Sequence, residues 1–499
     1  MDTVKIGWGR REISSPEAMS IPGQMYMRIS QGIMDPLFAT ALCIDGGEGN
    51  GCVIFCSCDM GNFNSGVVDS VLERVAQCRP EIPADSVILN CTHTHCSGDT
   101  HNTPPTSPDG VALYPGEKYR EFVIGQITQA VCEAYDTRRS GGIAFGYGYA
   151  VVAHSRRTVY SRDMSLGEDV PVAPNGFGVM YGNTTKPEFS HYEAGADHFL
   201  NALYTVDENE KLTGIVVNVP CPSQLSEHFT KLTADFWHDV RQLVKKDFGE
   251  NVYVLTQCAA AGDLSPRILH YLPAQSRRMK LKYGLEFKPN ASIKDVNRVM
   301  GERYDIAERI CQSLREVYSW AKKDIRWDFP VRVRKLTPAL SARKVTEAEK
   351  DWCEENILRL RDRIPEAGCA DAEAIRVAVT RYNAVKNRNT SIIQRYNTQP
   401  EDPRVQTTLY VAQVGDIAFA TNPFELYMDF MHRIQARSPF IQTFVVQLAG
   451  GEHGGYLATE RGVVNKGYSA SLFDNRVSAA GGQELVETTL QTLEQLANM

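Results

Sequence analysis

Residues 87–99 read VILNCTHTHCSGD, and the fold class follows from how this stretch is taken. Val87 to Cys91 is a strand-type run that passes into His93-Thr94-His95. Cys96-Ser97-Gly98-Asp99 then breaks it, because a turn-forming group cannot continue a strand. Residues two apart on a strand face the same side, so the spacing predicts that both imidazoles project together from the strand's C-terminal end. Open α/β sheets carry their ligand crevices at such ends. Neutral imidazole is the commonest protein ligand for transition metals, and two on one edge make half a zinc site. A pair of hydrogen-bonded structural histidines fits the same letters.

The sequence on either side gives an α/β order. FCSCD ends a strand at Asp59, and residues 65–78 follow with Val67, Val68, Val71, Leu72 and Val75 on one face of an amphipathic helix. After the histidine strand come a proline-rich loop and a second helix near Glu117 to Tyr135. Strand, helix, strand, loop, helix predicts helices laid over a sheet, a layered β-sheet core with flanking helices. Further on, IAFGYGYAVVA (143–153), LTGIVVNV (212–219) and VYVLTQC (252–258) read as strands. Thr233 is the expected N-cap of a helix to Phe248. From about 275 to 400 basic, helical patterns dominate, which predicts a helical insertion or cover. Strands resume with a hairpin over 409–421 that turns at Gly415-Asp416. Asn422-Pro423-Phe424-Glu425 is read as opening a helix, and a last helix starts near Gln483.

The chain has 499 residues, 43% hydrophobic and 23% charged, with a net charge of −7. That balance suits an ordinary globular protein and gives no basic footprint for nucleic acid. No apolar run reaches the length of a transmembrane helix. The opening MDTVKIGWGRREI runs straight into a strand pattern without a leader, so a cytoplasmic location is expected. Thirteen cysteines are scattered through the elements, as reduced thiols would be, and do not form a disulfide framework.

Several strand ends carry polar or small residues that one crevice could gather. They are Asp59, His93 and His95, Cys221 with His228, Asp263 and Ser265, Glu425, and Glu452-His453 with Tyr456. Their number argues for a site assembled at a sheet edge. Here the chain resembles the neutral/alkaline non-lysosomal ceramidase family, in matches that run in order along nearly its whole length. IGWGRREIS…GQMYMR…GIMDPLFATAL is similar to the family's N-terminal signature, with Ile6 where a valine is expected. FCSCDMG resembles its second strand and aspartate, and NCTHTHCSGD its HTHSGPG-type metal strand. GADHFLNALYTVDENEKLTGIVVNV resembles the segment before its second metal histidine. AGDLSP is similar to the GDxSP serine motif, NPFELY to the glutamate motif, and GGYLAT to the tyrosine loop.

The resemblance implies one ceramidase-like catalytic domain over 1–499, without the family's C-terminal immunoglobulin-like domain. It also implies a zinc ion held by two histidines, a glutamate and a tyrosine. Carried over by position, His93, Glu425 and Tyr456 take three of these roles, with Glu452 and His453 as rivals of Tyr456. At the second histidine the chain departs from the pattern: counting back fourteen residues from Asp235 lands on Cys221, followed by Pro222. A thiolate is a sound zinc ligand, and His228 is the other candidate. The resemblance gives His95 a catalytic role and links Ser265 and Asp263 to amide cleavage. Arg156 and Arg157 match a basic pair suited to an anionic substrate group, and Asp59 joins the substrate-binding set.

The activity implied is zinc-dependent hydrolysis of an amide bond, N-acylsphingosine-like, on a small-molecule or lipid-like substrate. Two alternatives stand beside it. One is hydrolysis of a small polar ester, lactone or sugar derivative; the other is a non-catalytic binding protein whose metal set has eroded at Cys221.

Overall fold

A computed structural model describes residues 4–47, 49–64, 66–165, 170–171, 173–361, 371–452 and 454–499. His453 therefore lies outside the described residues, as does Ser65, where the first helix was expected to start. Among the described residues an eight-stranded sheet runs in the order Tyr253–Cys258, Leu212–Val219, Phe199–Asp207, Arg139–Tyr149, Lys5–Glu12, Phe38–Asp45, Cys52–Cys58, Val87–Cys91. Neighbours pair antiparallel except the last pair at each edge, Leu212–Val219 with Tyr253–Cys258 and Cys52–Cys58 with Val87–Cys91, which are parallel. The sheet curls until its two edges meet: Ser57 Oγ donates to the Thr256 carbonyl at 2.5 Å and Asn90 Nδ2 to the same oxygen at 3.3 Å. The C-terminal ends of both parallel edge pairs thereby come to one place.

A second, four-stranded sheet packs on one face of the first, in the order Val331–Leu336, Leu409–Val414, Ile417–Thr421, Gln442–Val446. Alternation of side chains along each strand supplies the layer between them. Trp8, Leu42, Phe55 and Leu203 of the large sheet meet Val331, Phe419, Phe444 and Val446 of the small one, all buried. The other face of the large sheet is covered by the helices Val67–Cys78, Gly116–Asp136, Phe236–Phe248 and Val296–Ala321. Met428–Arg437 and Ala479–Ala497 cover the small sheet. The result is helix, sheet, sheet, helix, an α/β layering with a large central sheet. No helix among the described residues is long and apolar enough to cross a membrane.

Three local expectations change. The segment 275–400 is not helical throughout, because it contributes Val331–Leu336 as an edge strand of the second sheet. Asp235, not Thr233, caps the helix Phe236–Phe248; Thr233 is held by Asp35, its hydroxyl donating to that carboxylate at 2.8 Å. Glu425 does not open a helix. Glu425–Leu426 is a short strand paired parallel with Tyr456–Leu457, in a register that sets Glu425 opposite Tyr456. The helix starts only at Met428.

Candidate active site

The histidine strand stops at Cys91, so strand periodicity does not bring the two imidazoles together. His93 instead adopts a left-handed backbone, φ 63°, a conformation that costs a non-glycine residue about 1 kcal/mol or more and clusters at functional sites. The turn swings its ring edge-on to His95, with ring centroids 4.8 Å apart and planes at 87°. The Nε2 atoms lie 3.4 Å apart. His93 Nδ1 bonds the Gly61 carbonyl at 2.8 Å; a carbonyl only accepts, so Nδ1 carries the hydrogen and Nε2 is directed into the site.

Nε2 of His93 meets Glu425 Oε2 at 3.2 Å. Burial opposes a charge on this imidazole, and the facing carboxylate outweighs it, so His93 holds its proton above the ordinary histidine range. His95 goes the other way, because burial outweighs Glu227, whose Oε2 lies 3.3 Å from its Nδ1. Its Nε2 receives the Gln224 side-chain amide at 2.9 Å. Glycine is required twice in this frame. A Cβ on Gly262 would lie 2.3 Å from the Glu425 carbonyl, and Gly23 has φ +95° with its Cβ position 2.7 Å from the His95 ring. The glycine of AGDLSP thus admits the Glu425 strand.

Arg156 completes the cluster. Its Nη2 donates to Tyr456 Oη at 3.0 Å and to the Gly262 carbonyl at 2.8 Å, and lies 3.7 Å from Glu425 Oε2. Tyr456 is also hydrogen-bonded to Glu425, and burial pushes its phenol well above the ordinary range. The phenol is therefore a donor at neutral pH. The cluster opens on a cavity of about 630 Å³, within the range of small-molecule sites. His95, Arg156, Gln224, Glu227 and Tyr456 line it, whereas His93 and Glu425 stand one layer behind.

The other expected site residues are placed as follows. His228 lines the cavity, with Nδ1 3.4 Å from Tyr26 Oη. Burial, reinforced by Arg267 and Arg28 against Glu227, pushes its imidazole down to about 4. Ser265 is fully buried and does not line the cavity; its Oγ accepts the Arg267 amide at 3.2 Å, which makes it a turn cap and not an exposed nucleophile. Asp263 is also buried and accepts the Met428 amide at 3.1 Å; burial raises its carboxyl to about 6. Arg157 is buried in a two-point pair with Glu193 at 2.7 and 2.8 Å, and Asp59 in another with Arg241 at 2.6 and 2.9 Å. Both are structural ion pairs away from the cavity, unlike the substrate-binding role expected of them. Glu452 is exposed and lines a different groove. Sequence reading did not single out Gln224, Glu227 or Arg267. Arg267 binds the Glu227 carboxylate and, through Nη2, the Gln224 carbonyl at 2.5 Å. Glu227's place beside His228 and Arg267's beside the SP pair were the available signals.

The donors do not make up a zinc set. Cys221 is 0% exposed and does not line the cavity. Its Sγ donates to the Val152 carbonyl at 3.1 Å, which turns it into the core and away from the cavity. His228 is turned to Tyr26. Beside Tyr456 and Glu425, the two oxygen donors, which are bonded to each other, stands a guanidinium that is always charged. Among the described residues no group of three or more His, Cys, Asp or Glu side chains could hold a metal ion.

No protein-family profile matches the chain, and no curated protein matches it. Solved structures do. The neutral ceramidase from Pseudomonas aeruginosa superposes with a TM-score of 0.66 at 15% identity, covering 99% of this chain and 75% of that one. A ceramidase complexed with C2 gives 0.66 at 14% identity with the same coverage. The fold is therefore neutral-ceramidase-like over essentially the whole chain.

Proposed function

We propose that the chain is a ceramidase-like hydrolase of an acyl amide, with His95, Tyr456 and Arg156 as the groups that meet the scissile bond. The observation that carries this reading is the pair of imidazoles, 3.4 Å apart and oppositely polarised, with His95 lining the cavity beside a phenol and a guanidinium and His93 directly behind it. Neighbouring titratable groups whose surroundings drive them apart mark the acid and base roles of a site.

In this reading water displaces the Gln224 amide from His95 Nε2, and that nitrogen of the neutral imidazole accepts its proton as the oxygen attacks the carbonyl. Arg156, and Tyr456 once its hydroxyl turns from Glu425, donate to the carbonyl oxygen as it gains charge. The tetrahedral species collapses, and His95 returns the proton to the departing amine. His93, held by Gly61 and paired with Glu425, fixes the floor against which His95 works. The likeness of fold favours an amide, since the similar structures are ceramidases, although fold does not fix a substrate. All described cysteines are free thiols, which supports work in a reducing compartment.

The test is a panel of N-acyl amides, acyl esters, lactones and glycosides assayed with the wild-type chain and with His95→Ala. Turnover of an amide, reduced by about 10²–10⁴ in the variant, is expected. Selective turnover of a lactone or glycoside would transfer the same machinery to that substrate. Binding of panel members without turnover of any would leave a binding protein on this scaffold.

A further inference from the structure

Four arginines line the cavity, Arg156, Arg267, Arg298 and Arg381, against a single carboxylate, Glu227. Three of the four are neutralised by the protein itself. Arg267 is bound to Glu227, Arg298 Nε lies 3.0 Å from Glu302 Oε1, and Arg156 faces Glu425 at 3.7 Å. Arg381 has no ion pair among the described residues. It stands on the helix Ala372–Thr398, at a position fixed by its neighbours: Thr380 Oγ1 accepts the Met27 amide at 2.9 Å, and Arg376 is paired with Asp109. Behind the floor, Arg28 adds a second cation without a carboxylate. It is buried, and its partners are the carbonyls of Pro22, His95 and Phe229 and the Cys96 thiol. An enclosed surface with excess charge of one sign focuses its field on the ligand.

Between these cations the wall is apolar, with Met25, Met180, Ile268, Leu269, Leu272 and Ile293 contributing to it. We infer that the substrate is an anionic amphiphile, an acyl amide whose apolar chain lies on this wall and whose anionic group, separate from the scissile carbonyl, is bound by Arg381. This rests on the hydrolase reading for the bond that is cleaved, but the recognition can be measured without cleavage. The segment that brings Arg381 is the one read from sequence as a helical cover; its role is then to select the substrate's charge.

The test uses N-lauroylglycine and its neutral isostere N-lauroylglycinamide, titrated by calorimetry into full-length His95→Ala protein, which binds without turnover. The acid is expected to bind about fivefold more tightly than the amide, the strength of a partly exposed ion pair. Adding Arg381→Gln is expected to bring the ratio to about one, and molar salt to erode it through screening. Arg381 is exposed, so its loss leaves the fold unchanged. Equal binding of the two probes, failure of both to bind, or a preference that survives Arg381→Gln would overturn the inference. Wild-type protein that binds the acid preferentially yet cleaves no member of the panel would overturn the hydrolase reading alone.

Discussion

Two corners of the molecule, both at strand ends, were expected to hold the same ion, and they have become opposites. At His93, Glu425 and Tyr456 polar side chains converge, are buried, and are neutralised by Arg156. At Cys221 the chain closes over a thiol that bonds the Val152 carbonyl, beside Cys258, whose Sγ donates to the Cys221 carbonyl at 3.3 Å. The first corner keeps the layout of a site. The second has become core. The difference teaches that a crevice can gather buried polar residues without assembling a metal's donor set, provided another cation stands near. Here that cation is a guanidinium, which compensates the two oxygen donors but supplies no site for water to bind and ionise.

The largest effect expected of breaking the polar corner is on turnover: His95→Ala loses about 10²–10⁴ in rate while keeping its fold, measured as kcat/KM beside a circular dichroism spectrum. Unchanged turnover would remove His95 from the chemistry. Arg156→Ala comes next. It leaves Glu425 buried opposite Tyr456 with His93 as its remaining counter-charge, a loss of about 3 kcal/mol of stability in urea titration, the low end for a broken buried pair. A loss below about 1 kcal/mol would mean that His93 alone neutralises the corner.

Asp263 sharpens the comparison through pH. Its carboxyl is raised by burial from 3.8 to about 6, so the native state binds the proton more tightly than the unfolded chain. That preference contributes fully below pH 4 and is lost as pH rises through 6. Asp263→Asn, neutral throughout, is therefore expected to gain about 2 kcal/mol on the wild type between pH 4 and pH 8; a difference independent of pH would refute the buried, uncompensated carboxyl. The smallest effect belongs to the closed corner. Cys221→His places an imidazole where the sequence resemblance expects one, but in a packed core it is expected to cost about 1–3 kcal/mol by overpacking and to leave zinc affinity unchanged. A rise in affinity of tenfold or more would show that the corner can still open to the ion.

What the sequence carried into the structure was alternation and order. Six strands of the large sheet, its helical cover and the hairpin at Gly415 were legible, because each rests on local periodicity or turn chemistry, whereas Phe38–Asp45 and Phe199–Asp207 were not read as strands. Legible too, through the motifs, was that His93, Glu425 and Tyr456 belong together. The geometry that joins them was not. A left-handed His93 and the two-residue pairing of Glu425–Leu426 with Tyr456–Leu457 depend on contacts between residues far apart in the chain. For the same reason Arg157 and Asp59 looked available for substrate, whereas Glu193 and Arg241, distant in sequence, had already neutralised them. Ser265 had the motif of a catalytic serine but the environment of a turn cap.

The central claim is that this crevice is neutralised by Arg156 and lacks a zinc donor set, and zinc competition tests it most directly. Purified protein, equilibrated with a fluorescent zinc chelator and then assayed for bound metal and for turnover, is expected to keep less than about a tenth of an equivalent with its activity intact. One tightly held equivalent, lost together with activity on chelation and on His93→Ala, would contradict it.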